Sequence, residues 1–329
     1  MKKILTIIIA LLIIISAGLS AYAITGTTSE QKDTLSEKSN EAVSTTDAIQ
    51  ETKQIEEIDT QSTPVPTSFS SVKEEIVYKM LNSMDYFTTA QVSFSALFPG
   101  FDIEEYYTIE TNLNTGISHQ TKSDNFSQSY ASAANAVNAA TSDVNEAYES
   151  YSDGVTVRSY NNLEKTVQTI GTSEERRSLD EEWPDLEERY YIDENGDPNY
   201  CYRGNPTNAS MAGECLLPQV SAFAYLMDED LWEVTESLQY CGRDCYSVEG
   251  TVNDSYSAQI GAETFMMYVD KETGILLKLE ACDANGDVVS SMVVSEISID
   301  APQTRSAFVY DMSKYEGYTE LPSRIGPQS

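Results

Sequence analysis

The sequence predicts an α+β fold, an antiparallel sheet of short strands with helices gathered on one face. Three observations carry that reading. Thr264 to Asp300 holds three apolar runs separated by two turn signals, Asp270-Lys271-Glu272-Thr273-Gly274 and Asp283-Ala284-Asn285-Gly286-Asp287. Asn-Gly between alternating hydrophobics favours a tight hairpin, because its central residues need positive φ. Within this meander Phe265, Met267 and Val269 share one face, as do Ile275, Leu277, Leu279 and Ala281, while Lys278 and Glu280 point the other way. A sheet with one apolar and one wet face must cover the apolar one. Amphipathic segments beginning at Ser71 and Leu216 are available to do so.

Taken in order, the first element starts at Ser71. Ser71-Val72-Lys73-Glu74 reads as a capping box, and Val72, Ile76, Met80 and Met84, flanked by Val77 and Leu81, make a helical apolar stripe. Gln91 to Phe98 alternates Val92, Phe94, Ala96 and Phe98 with serines, as a half-buried strand does. Ile103–Asn112 and Thr115–Lys122 form a hairpin about Leu113-Asn114. Phe126 to Tyr151 is rich in Ala, Ser and Asn and repeats Tyr130, Val137, Val144 and Tyr151 at heptad spacing. That spacing predicts a weakly amphipathic helix, either a lid over the sheet or a solvated insertion. Strands resume at Asp153–Arg158 and Lys165–Ile170, and a charged loop around Trp183 follows. Glu188–Ile192 and Asn199–Arg203 form a further hairpin. Leu216 to Met227 reads as a short helix with Pro218 at its first turn. Leu231–Val234 and Cys245–Gly250 return to strand, for a total of about ten strands and three helices.

The chain has 329 residues, with 20 Lys+Arg against 53 Asp+Glu and a formal charge of −33. So acidic a protein lacks the basic footprint of a nucleic-acid binder, and anionic membrane surfaces repel it. Lys2-Lys3, the apolar run Ile4–Ile15 and Ala21-Tyr22-Ala23 read as an export signal over residues 1–23. Cleavage after Ala23 is the expectation, and an uncleaved membrane anchor is the alternative. No cysteine precedes Cys201, which argues against a lipid-modified N-terminal cysteine. Residues 24–70 are rich in Ser, Thr and Glu and read as a disordered linker spanning about 40 Å. The folded domain is expected over 71–318, with a tail at 319–329. Location is thus extracytoplasmic, secreted or N-terminally anchored.

Positive signals for chemistry are few. The five cysteines, Cys201, Cys215, Cys241, Cys245 and Cys282, include two reasonable pairs, Cys201–Cys215 and Cys241–Cys245. The other reading leaves them as small buried hydrophobes. The single histidine, His119, sits on a polar strand with no nucleophile motif beside it, so a surface role is expected. Asp193-x-Asn195-x-Asp197 and Asp283-x-Asn285-x-Asp287 imitate the start of a calcium loop, but Gly204 and Val294 stand where its bidentate glutamate belongs. Hairpin turns explain both, so no metal and no cofactor is expected. The many carboxylates leave a glycosidase-like pair open, yet no spacing singles one out.

The motifs Asn205-Pro206-Thr207, Leu217-Pro218-Gln219, Leu231-Trp232-Glu233-Val234, Cys241-Gly242-Arg243-Asp244-Cys245-Tyr246 and Tyr268 to Lys278, followed by Ala307 to Tyr315, occur in an order that resembles exported Gram-positive proteins of the lipoprotein-carrier superfamily, LolA-like and RseB-like. The resemblance spans Ser71 to Tyr318 in layout and is densest after Arg203. It implies a strongly curved antiparallel half-barrel whose concave apolar face is plugged by helices, with relatives that hold lipid acyl chains or contact an anti-sigma factor. The Phe126–Tyr151 insertion and the acidic linker depart from the carriers.

The expected function is therefore non-enzymatic: an extracytoplasmic binding or sensing module. An apolar ligand would touch Phe94, Phe98, Phe223, Leu226, Phe265, Met267, Leu277 and Leu279. The alternative is that these residues only form a packed core. Partners under the first reading are a lipid or other apolar molecule, or an envelope signalling protein, with no nucleic acid. The competing functions are an envelope structural or adhesion protein displayed on its linker and, last, an extracellular carboxylate-based hydrolase.

Overall fold

The computed structural model describes residues 68–101, 103–124, 147–171, 186–194, 198–301 and 312–323. The export segment, nearly all of the linker, the Tyr130–Val144 repeat and Trp183 lie outside the described residues. Helix α1 spans Val72–Leu81, followed by strands β1 (Thr89–Leu97), β2 (Glu105–Asn112), β3 (Ile117–Asp124), β4 (Tyr148–Asp153), β5 (Thr156–Asn161) and β6 (Thr166–Gly171). A short turn of helix, α2 (Leu186–Arg189), leads into β7 (Tyr190–Ile192) and β8 (Pro198–Tyr200). Then come α3 (Gln219–Tyr225), β9 (Trp232–Tyr240), β10 (Arg243–Thr251), α4 (Asp254–Ile260), β11 (Thr264–Asp270), β12 (Leu276–Cys282), β13 (Val288–Ile299) and β14 (Thr319–Leu321).

Twelve strands form one sheet in the order β14-β6-β5-β4-β3-β2-β1-β13-β12-β11-β10-β9, while β7 and β8 pair only with each other. The sheet is open and strongly curved, the α+β half-barrel. The Tyr240 hydroxyl on β9 donates to the Val294 carbonyl on β13 at 2.8 Å, although β10, β11 and β12 lie between. In a flat sheet those strands would stand roughly 19 Å apart at the usual spacing. Register shifts at Ser93/Phe94, Ser247/Val248, Tyr268/Val269 and Ala281/Cys282 supply the bends.

The apolar alternation places the core as expected. Val92, Phe94 and Ala96 of β1, Phe265, Met267 and Val269 of β11, and Leu279 and Ala281 of β12 are all buried. The shift beside Val269 pairs that residue with Leu276 and leaves Leu277 as the extra one, so both leucines are buried. Ile76, Val77, Met80 and Leu81 of α1 and Phe223 of α3 join the same core. Ser71 caps α1, its Oγ accepting from Glu74 N at 3.0 Å. The Glu74 carboxylate accepts instead from Ser70 N at 2.6 Å, one residue earlier than a capping box requires.

The described elements add to or depart from expectation at four points. The C-terminal end of the Phe126–Tyr151 helix is strand β4, because its residues pair on both sides, His119 with Tyr151 and Tyr151 with Arg158. Within the segment expected as a tail, Thr319–Leu321 runs parallel to β6, the single parallel pairing of the described sheet. Tyr315 stacks on Tyr160 at 3.9 Å and so delivers the following residues to that edge. Helix α4 was not anticipated, although Asn253 caps it, its side chain accepting from Tyr256 N at 3.0 Å, and Gly261 ends it at φ +76°. Strands β7 and β8 do form the expected hairpin, but outside the main sheet.

Gly274 joins β11 to β12 at φ +74°, with its Cα facing the backbone of Lys79 and Met80 in α1. A methyl there would collide with main chain that cannot rotate away, in a conformation already strained for an L-residue. Gly274→Ala is expected to cost about 3 kcal/mol or more of unfolding free energy by urea titration, whereas Gly286→Ala, at a turn with open space, costs only its φ strain.

Candidate functional site

The eight residues proposed for an apolar ligand all belong to, or pack against, one continuous core. Phe94, Phe223, Leu226, Phe265, Met267, Leu277 and Leu279 are buried, and Phe98 is half-buried at the end of β1. They are thus brought together as expected, and packed against one another.

The part of this layer that stands out is its aromatic end. Tyr200 and Tyr202 lie 5.2 and 5.1 Å from Phe223, Tyr190 lies 5.6 Å from Tyr200, and Tyr225 lies 4.9 Å from Phe265 and 5.1 Å from Tyr256. The β7–β8 hairpin, α3, α4 and the main sheet meet at these rings. A two-stranded hairpin is marginal alone, so its stacking on Phe223 holds it in place. Its outer side remains apolar: Tyr191 and Ile192 are each 54% exposed, and Val220 of α3 is 55% exposed. Sequence patterning found Phe223 and Phe265 but missed the five tyrosines, which lie on helices and short strands where no strict alternation marks them.

Two polar groups are built into this end. Arg189 and Arg203 are buried; Asn82 Oδ1 accepts from both guanidiniums at 3.0 and 3.1 Å, and Gln219 Oε1 accepts from Arg189 at 2.9 Å and from Arg203 N at 2.8 Å. Arg203 also forks onto Asp85 at 2.6 and 2.8 Å. This network ties the C-terminus of α1 to the start of α3 and to both arms of the hairpin. Burial, then the neighbouring Arg203 charge, lowers the Arg189 guanidinium to about 10, so it stays charged at neutral pH. The second group is the half-buried Glu214, whose carboxyl is raised by burial; burial foremost, and the Glu214 charge as a lesser cause, raises the hydroxyls of Tyr225 and Tyr256.

His119 is not a lone surface residue. Its Nε2 lies 3.2 Å from the buried Glu149 carboxylate, which also accepts from Asn162 at 2.6 Å, Lys314 at 3.0 Å and Tyr315 at 2.5 Å. Burial alone would raise this carboxyl, but bonds from His119, Tyr315, Asn162 and Lys314 outweigh it and hold it at about 2. The cluster fastens the C-terminal segment to β3, β4 and the turn after β5.

The five cysteines are free thiols. Neither proposed bridge is present, and the buried-hydrophobe reading describes Cys215 and Cys245, both inaccessible. Cys241 Sγ and Cys245 Sγ lie on different carbonyls, those of Val294 and Arg243, each at 3.4 Å. Cys241 and Gly242, at φ 49° and 76°, form the tight turn between β9 and β10. The Asp283 carboxylate accepts from Asn285 N and Asp287 N at 2.9 Å, as a hairpin turn requires. Among the described residues no group of three or more His, Cys, Asp or Glu is placed to hold a metal, and no helix is long and apolar enough to cross a membrane. A shallow groove of about 120 Å³ opens elsewhere, over Ser93, Tyr106, Thr108, Thr121 and Ser295; of the eight expected residues only Phe94 borders it.

No family model and no curated protein matches the chain. Solved structures with similar folds include the Pseudomonas aeruginosa MucA/MucB complex (13% identity, TM-score 0.34, 74% of this chain and 60% of that one). Others are the Mycobacterium tuberculosis lipoprotein LppX (9%, 0.32, 69% and 96%) and a putative outer membrane lipoprotein-sorting protein domain from Vibrio parahaemolyticus (8%, 0.25, 74% and 97%). The chain thus spans less than two thirds of the MucB structure it matches.

Two titrations follow from the buried carboxyls. Glu149 is depressed when folded, so its contribution is present above the unfolded value of 4.5 and is lost as pH falls toward about 2. Glu149→Gln is expected to remove about 2 kcal/mol at pH 7 and to flatten the acid limb of the stability curve, measured by urea unfolding across pH. Glu214 is raised, so its ionisation opposes folding as pH rises through the folded value. Glu214→Gln is expected to raise the melting temperature at pH 7 and leave it unchanged at pH 3.

Proposed function

We propose that this chain is a non-enzymatic, extracytoplasmic binding module that takes an apolar ligand of the lipid acyl type between the curved sheet and α3, entering beneath the β7–β8 hairpin. One observation carries the reading: the aromatic end of the core keeps features that a core needing only stability would discard. Half-buried Glu214 has its carboxyl raised there by burial, and a small hairpin held by stacked rings leaves Tyr191 and Ile192 in water. A pocket that is mostly apolar with a few placed polar groups suits a long hydrocarbon with a polar end. Phe223, Leu226, Phe265 and Met267 would line the hydrocarbon, with Phe94, Phe98, Leu277 and Leu279 deeper along the sheet.

The export segment and the acidic linker support an extracytoplasmic site of action, of the exported Gram-positive type that the motifs after Arg203 resemble. The exposed Tyr191, Ile192 and Val220 also favour a second reading, in which the rim docks an envelope signalling protein.

Native mass spectrometry of protein purified without detergent tests the first reading, together with titration by a fluorescent polyene fatty acid. Co-purifying lipid is expected, with Tyr200→Ala and Phe223→Ala weakening the fatty acid by about tenfold and Val288→Ala, on the far side of the sheet, leaving it unchanged. Protein of bare mass that takes up no fatty acid would sink the proposal.

A further inference from the structure

The two ends of the sheet are managed differently. At one end β6 is covered by β14, only three residues long, so that edge is short. At the other end β9 runs for nine residues and, among the described residues, pairs only with β10. The two-residue turn at Cys241-Gly242 pairs Tyr240 with Arg243, which sets the alternation along the hairpin. It follows that Ser237 and Gln239 direct their N–H and C=O groups away from β10. Thr235, Glu236, Ser237 and Gln239 are exposed. Nearer its start the strand is tied down, because Lys73 Nζ donates to the carbonyls of Glu229 and Trp232.

We propose that the open half of β9 is a strand-addition site for an extended, basic segment of a partner protein. Charge decides which occupant fits. Asp228-Glu229-Asp230 leads into the strand, Glu233 and Glu236 lie on it, and Glu249 stands beside it on β10. Arg243 is already engaged by Asp270 at 2.5 Å and Glu272 at 2.9 Å. Lys271 is held over the Tyr246 ring at 4.6 Å and donates to Ser237 Oγ at 2.7 Å. The surface is left with an excess of carboxylate. A second copy would bring Glu233 and Glu236 against their own kind on a chain of net charge −33, and the chain's own acidic linker is repelled in the same way. An extended segment with Lys or Arg at alternate positions meets the backbone row with hydrogen bonds and the glutamates with charge. Its occupancy does not depend on an apolar ligand.

The test uses the full chain and two synthetic peptides of equal length, one alternating lysine with valine, the other glutamate with valine, by isothermal titration. The lysine peptide is expected to bind, more weakly as salt is raised, and the glutamate peptide not at all. Ser237→Pro removes an outward N–H without touching the β9–β10 ladder and is expected to weaken binding by about tenfold at an unchanged melting temperature. Glu236→Lys, which leaves the backbone intact, should weaken it as well. Binding of both peptides alike, binding insensitive to both variants, or concentration-dependent dimerisation of the free chain through this edge would overturn the proposal.

Discussion

The structure depends on covering the apolar face of a curved sheet with helices too short to hold themselves there. Helix α3 has seven residues and α1 ten, lengths at which isolated helices are marginal in water. Burial of Ile76, Val77, Met80, Leu81, Phe223 and Leu226 supplies the drive, and the Arg189–Asn82–Gln219–Arg203 network supplies the register. Burying two guanidiniums beside one carboxylate is costly unless their hydrogen bonds are met. Here side-chain amides, main-chain carbonyls and the Asp85 carboxylate meet most of them, though among the described residues not that of Arg203 Nε, and α1, α3 and the hairpin take one relative position.

That arrangement makes the aromatic end a consequence of how the helices are fixed. With α3 locked at its start by Gln219, its Phe223 and Tyr225 point to opposite partners, the hairpin tyrosines on one side and Tyr256 with Phe265 on the other. The aromatic end retains an ionisable group and is bounded by an element with no strand partner in the main sheet. Where a fold keeps both a folding cost and exposed apolar surface in one place, binding is the economical explanation.

A second polar cluster works at the other end of the sheet, far from the helices. Glu149 gathers donors from β3, the turn after β5 and the C-terminal segment, and Tyr160 stacks on Tyr315. Its effect is to fasten the chain's return to β6, so that one sheet edge is shortened while β9 stays long. The same acidic surplus that keeps such an edge from pairing with another copy sets the charge of anything that could add to it.

Alternation along β1, β11 and β12, the Ser71 cap and the Asn-Gly turn are properties of neighbours in the chain, and they were legible from residue order alone. So was the grouping of Phe94, Phe265, Met267 and Leu279 on one apolar face, since a period of two leaves little choice of side. Residue order did not show that Phe126–Tyr151 ends in a strand, because its heptad spacing fits a helix until pairing with His119 and Arg158 outbids it. Nor did it show that the sole histidine meets a buried glutamate, that both arginines converge on Asn82, or that three tyrosines gather about Phe223. Those contacts join residues up to 166 positions apart, as Glu149 and Tyr315 are. They depend on how far the sheet curls and where its bulges fall, and such bends accumulate over many strands, so that only the folded chain decides them.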